Sequence, residues 1–198
     1  MTDAGGGWTL TTKINGNAQT FTFASTYWTT TTTLAPSSND LSTTEAQLAT
    51  YSTVPFTSIL GMMKGATATN TLVIPVSDAT SLLDLISNTA INTLFTQLGT
   101  TAWFDLTNPT ATTETHCALE GINVAPTCGE QNQARIRIGI LMNGENDCCT
   151  PDTFVGFGGD DRSSCSSDVA PPAGSLGSCL GNGGTGPSVY DFGYIFVR

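Results

Sequence analysis

The chain has 198 residues, 39% hydrophobic and 11% charged, which fits one globular domain with a sizeable core. Six Lys plus Arg against sixteen Asp plus Glu give a formal charge of -10, which repels a phosphate backbone and argues against nucleic acid as a partner. No apolar run reaches the roughly 18–20 residues of a membrane helix, and the first residues lack the basic and apolar regions of a signal peptide, so no membrane insertion is expected.

Trp8, Leu10, Thr12 and Ile14 alternate with Thr9, Thr11 and Lys13 after Gly5-Gly6-Gly7. Phe21 and Phe23 alternate again beyond Asn15-Gly16-Asn17, and together the two stretches predict a β-hairpin. Residues 29–33 are all threonine or close to it and read as a loop. Further strands are expected over 56–63 and 71–76. Ser77 and Asp78 then offer acceptors for the free amides of a helix start. Leu82, Leu83, Ile86, Ala90, Ile91, Leu94, Phe95 and Leu98 follow at helical spacing, with a break near Asn88 and Gly99 placed as a left-handed C-cap. Such a stripe is a core face before it is a partner-binding one.

Beyond residue 107, Gly, Pro, Asn, Asp, Ser and Cys dominate. Two strands stand out. Residues 135–142 set Ile136, Ile138, Ile140 and Met142 on one side, and residues 189–198 are rich in aromatic and β-branched side chains. The stretch between them reads as a long loop, a length that is uncommon unless functional or stapled. Cys117, Cys128, Cys148, Cys149, Cys165 and Cys179 are even in number and show no C-x-x-C spacing, so disulfides fit them best. With only Lys13 and Lys64 as lysines and threonine abundant, the composition points to a secreted, extracellular protein. Spacing alone leaves the cysteine pairing open.

Ten of the sixteen acidic residues lie after residue 113. Asn143, Glu145 and Asp147 alternate oxygen donors, Asp152 follows, and Asp160 and Asp161 sit beside Gly158-Gly159. Calcium takes six to eight oxygens, often from loop side chains spaced by two, and this constellation supplies that donor type. It is not an EF-hand, because the sixth position is not glycine and the twelfth is Phe154. The plainer reading is a solvated acidic loop.

Enzyme readings are thinner. His116 is the only histidine, flanked by Glu114, Cys117 and Glu120, and a hydrolase or zinc centre would have to be built on it. No G-x-S-x-G or H-E-x-x-H accompanies it, and Cys117 is a better candidate for a disulfide than for a nucleophile. Nothing singles out a pair of carboxylates for sugar hydrolysis.

Gly5-Gly6-Gly7-Trp8-Thr9-Leu10, Tyr27-Trp28, Phe56, Leu60-Gly61-Met62, Ser81-Leu82-Leu83-Asp84, Arg135-Ile136-Arg137-Ile138-Gly139 and Tyr194-Ile195-Phe196-Val197-Arg198 follow one another in this order. The chain thereby resembles fibrinogen-related domains, the fibrinogen C-terminal-like superfamily, and within it the intelectin-like X-type lectins and their microbial relatives. The resemblance spans nearly all 198 residues with gaps, and its Gly-Gly-Gly-Trp-Thr motif is the most specific part. It implies an α+β fold with a central twisted sheet, short helices and a long, disulfide-stapled C-terminal loop lobe. It also implies a single domain over 1–198, entered partway, since members carry a strand or two before that motif.

In intelectins a calcium ion contacts vicinal sugar hydroxyls, held by loops after the strand that matches residues 135–142. The intelectin Asn-Thr-Glu-His-His segment falls near residues 149–153, where only Asp152 remains as a ligand, so that sugar site is not carried over intact. The resemblance implies the pairs Cys117 with Cys148, Cys128 with Cys149, and Cys165 with Cys179. Adjacent Cys148 and Cys149 point to opposite sides of an extended segment and so would bridge to different partners.

The expected function is a secreted, calcium-dependent, non-catalytic carbohydrate-binding domain for glycans or cell-surface polysaccharide. Asn143, Glu145, Asp147, Asp152, Asp160 and Asp161 would hold Ca2+, and Tyr190 and Phe192 would stack on the sugar. The alternative is a structural or adhesive subunit of an extracellular assembly, in which homo-oligomer or filament neighbours complete an edge strand.

Overall fold

The computed structural model describes residues 3–88, 90, 97–107, 116–126, 128, 133–144, 147–151, 153–161, 169–177 and 187–198. In chain order its elements are β1 (Thr9–Asn15), β2 (Ala46–Gln47), α1 (Thr50–Thr53), β3 (Phe56–Lys64), β4 (Thr69–Ala79), α2 (Leu82–Asn88) and α3 (Thr100–Thr107). β5 (His116–Val124), β6 (Ile136–Asn143), β7 (Thr153–Phe157), β8 (Ala173–Leu176), β9 (Val189–Tyr190) and β10 (Phe192–Val197) follow.

The strands make two five-stranded antiparallel sheets, ordered β2-β1-β10-β3-β4 and β5-β6-β7-β8-β9. The fold is therefore mostly sheet with few helices, and two sheets stand where one central sheet was expected. The second sheet is a simple meander. The chain then returns through β10 into the middle of the first.

The strands over 56–63, 71–76, 135–142 and 189–198 appear within β3, β4, β6 and the β9–β10 pair. The predicted hairpin does not. β1 pairs with β10, Lys13 opposite Tyr194 and Ile14 opposite Gly193, and the Gly16 amide donates to the Asp191 carbonyl rather than closing a turn toward Phe21. Phe21 lies outside any strand and is buried against Trp28 and Tyr27. The predicted helix begins as expected in α2, with the Ser81 hydroxyl accepting from the Asp84 amide. Residues 91–96 lie outside the described ones, and Gly99, at φ 84°, leads into the unforeseen α3.

The stretch 143–188 is not all loop, since it contains β7 and β8. Both are buried on both faces, so neither shows the alternation by which a strand is recognised.

The main core lies between the sheets. Ile14, Ile59, Met63, Ile74, Ile195 and Val197 of the first meet Ile122, Ile138, Ile140, Met142, Val155 and Phe157 of the second. Ile136 belongs instead to a second cluster with Leu141, Phe154 and Leu176. On the far side of the first sheet Leu60, Met62, Phe192, Tyr194 and Phe196 form a third cluster. The loop around residues 38–42 is tied to this side: the Tyr194 hydroxyl donates to the Leu41 carbonyl at 2.9 Å. Lys13, fully buried, gives its ammonium to Ser38 Oγ at 2.7 Å, Ser42 Oγ at 3.1 Å and Asp40 Oδ1 at 3.2 Å.

Candidate functional site

The cystines gather at one end of the second sheet. Cys117 bonds Cys148 and Cys128 bonds Cys149, with Cα atoms 5.2 and 4.9 Å apart, so the neighbouring cysteines do reach different partners. Cys165 and Cys179 lie outside the described residues. Around the cystines the chain after β6 turns back tightly. Asn143, almost fully buried, donates its side-chain amide to the carbonyls of Asp147 at 2.9 Å and Thr150 at 3.0 Å. The Asp147 carboxylate accepts from the Cys149 amide at 2.9 Å and from the Thr150 hydroxyl at 3.0 Å. Short polar side chains thus fold the loop on itself before any ligand is considered.

Asp160, another expected metal ligand, already has a cationic partner. Asp160 and Arg135 exchange both backbone hydrogen bonds, and the Arg135 guanidinium reaches the Asp160 carboxylate at 2.6 Å. Arg135 precedes β6 and Asn143 ends it. The Ala134 amide in turn donates to the Pro151 carbonyl at 3.3 Å, next to Thr150, so Arg135 holds Asp160 alongside the stapled loop. Asp160 is engaged by that guanidinium, and this ion pair competes with any metal for its carboxylate. Glu145 and Asp152 lie outside the described residues. Among the described residues no three His, Cys, Asp or Glu side chains come together as a metal-holding group.

Next to Asp160, Arg135 and Arg137 both stand over the Phe23 ring, at 4.7 and 4.1 Å from its centre. Arg137 also donates to the Phe23 carbonyl at 2.7 Å and to Asn123 Oδ1 at 2.6 Å, and burial lowers its pKa to about 10. This arrangement fastens residues 21–28 to β6. His116 is exposed at the start of β5 and its neighbour Cys117 is bridged, so that thiol is not available as a nucleophile.

A different site appears where the chain passes between sheets. Asp191 is the single residue between β9 and β10. Its amide donates to Ala173 of the second sheet at 3.1 Å, and its carbonyl accepts from Gly16 after β1 of the first at 2.9 Å. The backbone is held from both sides, which turns the side chain into the corner between the sheets. There a cavity of about 370 Å³ is lined by Asn70, Leu106, Thr107, Ser188, Tyr190 and Asp191 among others. The Asp191 residue is 5% exposed, and desolvation by burial raises its carboxyl pKa to about 6. Thr107, at the end of α3, is 2% exposed and its buried hydroxyl has no partner.

Of the two expected sugar-stacking aromatics, Tyr190 lines this cavity, with its hydroxyl donating to the Val169 carbonyl at 2.8 Å. Phe192 does not. It is buried in the far-side cluster, 5.1 Å from the Tyr194 ring, because strand alternation sends it to the face opposite the corner. Asp191 and Thr107 were missed from sequence. The available signal was an acidic residue between Tyr190 and Phe192, inside an otherwise aromatic and β-branched run.

No family model, no curated protein and no solved structure matches the chain. Among the described residues no helix is long and apolar enough to cross a membrane.

Proposed function

We propose that the chain is an extracellular, non-catalytic carbohydrate-recognition domain in which calcium, held by the loop 143–152, helps to present the sugar site. The observation that carries this reading is the convergence of both cystines on Cys148 and Cys149, inside the acidic loop. A loop stapled twice and folded around Asn143 loses little further entropy when a ligand arrives. Asn143 and Asp147, with Glu145 and Asp152 from the same loop, are the residues assigned to Ca2+. Asp160 and Asp161 are left out, since Asp160 pairs with Arg135. Disulfides also favour the extracellular location.

The test is the thermal midpoint of the oxidised chain in millimolar calcium and in EDTA. A fall in EDTA that disappears in Asp147→Asn supports the loop as the metal site. Equal midpoints in both buffers reject it.

A second reading, a structural or adhesive subunit, draws on β4. It is an eleven-residue edge strand of the first sheet and a long template for pairing. Pro75 and Asp78 within it blunt that edge, which ranks this reading second. A monomer by size-exclusion chromatography at high concentration would reject it.

A further inference from the structure

We propose that the cavity at the sheet crossover binds a small organic ammonium, with the Asp191 carboxylate as its counter-charge. This site is separate from the calcium loop and does not rest on it.

The first ground is an imbalance of partners. Asp191 is a largely buried residue that lines the cavity, and among the described residues no donor hydrogen-bonds to its side-chain oxygens and no Lys, Arg or His forms an ion pair with it. Burying a charge without a partner is costly, and proteins leave such a group in place where a ligand completes it. The second ground is the lining itself. Among the cavity's lining residues Asp191 is the one ionisable carboxylate, and no Lys, Arg or His lines the space to neutralise it. The described walls therefore leave one negative charge facing the cavity with no cation beside it.

The walls narrow the chemistry of the occupant. Met63, Ala66, Ala68 and Val189 supply carbon, and Tyr190 adds a ring. Calcium takes six to eight oxygens, usually with several carboxylates, and Asp191 is the one carboxylate among these walls. An ammonium on a carbon skeleton satisfies both halves, since its N–H groups donate to the carboxylate while its carbons cover the apolar wall. The volume of about 370 Å³ matches roughly a dozen water molecules, enough for a hexose-sized molecule but not for a peptide of any length. An amino sugar and a simple alkylamine share this chemistry.

The test is calorimetric titration of the oxidised full chain at neutral pH in EDTA, which removes any contribution from the calcium loop. The probes are glucosamine, butylammonium and the neutral N-acetylglucosamine. Binding by at least one ammonium probe, with none by N-acetylglucosamine, is the expected result. Glucosamine alone would assign the site to amino sugars, and butylammonium alone to simple amines. Asp191→Asn keeps the side-chain shape without the charge and is expected to weaken binding about tenfold or more. The proposal is overturned if N-acetylglucosamine binds as well as glucosamine, if Asp191→Asn binds unchanged, or if neither ammonium probe binds at tens of millimolar.

Discussion

Phe157 of the second sheet stands directly on Gly61 of the first. A Cβ built on Gly61 would meet the ring at 2.7 Å, and one on Gly193 of the adjoining strand would meet it at 2.9 Å. The two glycines form a socket in the inner face of the first sheet, and the ring fills it as part of the main core. Gly61→Ala is expected to destabilise the chain by about 1–3 kcal/mol, since neither backbone nor ring can yield without disturbing close packing. Denaturant unfolding would measure this. Adding Phe157→Leu should recover part of the loss, and a double variant no better than the sum of the single ones would show that the contact is not the cause.

Stability should fall as pH rises from about 4 to about 6. Asp191 has a folded-state pKa raised to about 6 from 3.8, so over that interval the folded chain binds more protons than the unfolded one. Its contribution is complete below the unfolded value and lost as pH passes the folded one, a change on the order of 2 kcal/mol. Asp191→Asn should flatten this slope. Asp40 acts with the opposite sign in a lower window. Hydrogen bonds from Ser42, and then from Lys13, lower its pKa to about 2, so its contribution is present above 3.8 and lost as pH falls through 2. Unfolding midpoints at closely spaced pH values would separate the two.

Removing the Cys117–Cys148 bridge by a double Cys→Ala change should lower stability by about 3–4 kcal/mol, given the 31-residue separation it closes. The same variant should lose any calcium-dependent rise in midpoint, because the turn around Asn143 would then be held by Cys128–Cys149 alone among the described bridges. Retention of the full calcium effect would separate the staple from the metal site.

Lys13→Met keeps the length and apolar stem of the buried side chain while removing its ammonium. A loss of about 2 kcal/mol is expected, since the oxygens of Ser38, Asp40 and Ser42 gathered around the ammonium would lose their common donor. Limited proteolysis should then cut near Leu41, the exposed apolar residue at the loop's tip, faster than in the parent.

A strand is visible where β-branched and aromatic residues recur, as they do in β3, β6 and β10 around Ile59, Ile138 and Ile195, and that signal holds although β10 is buried throughout. It fails for the shorter Thr153–Phe157 and Ala173–Leu176. Partners are harder to read than strands. β1 was legible, but its pairing with β10 spans almost the whole chain, and no local turn signals it. The same holds for the acidic residues. Their proximity in sequence suggested one cluster, whereas the antiparallel path of β6 and β7 brings Asp160 to Arg135, whose guanidinium engages its carboxylate. Asp191 and Thr107 lie far apart in the sequence, and only the crossover brings them to one cavity.

The burial of Lys13 decides how this protein can be attached to anything. Of its two lysines, only Lys64 keeps an exposed side chain, and it adjoins Gly65 on the rim of the crossover cavity. Acylating reagents aimed at lysine would therefore anchor the molecule through one flank, fixing its orientation on a sensor surface and crowding the opening beside the graft.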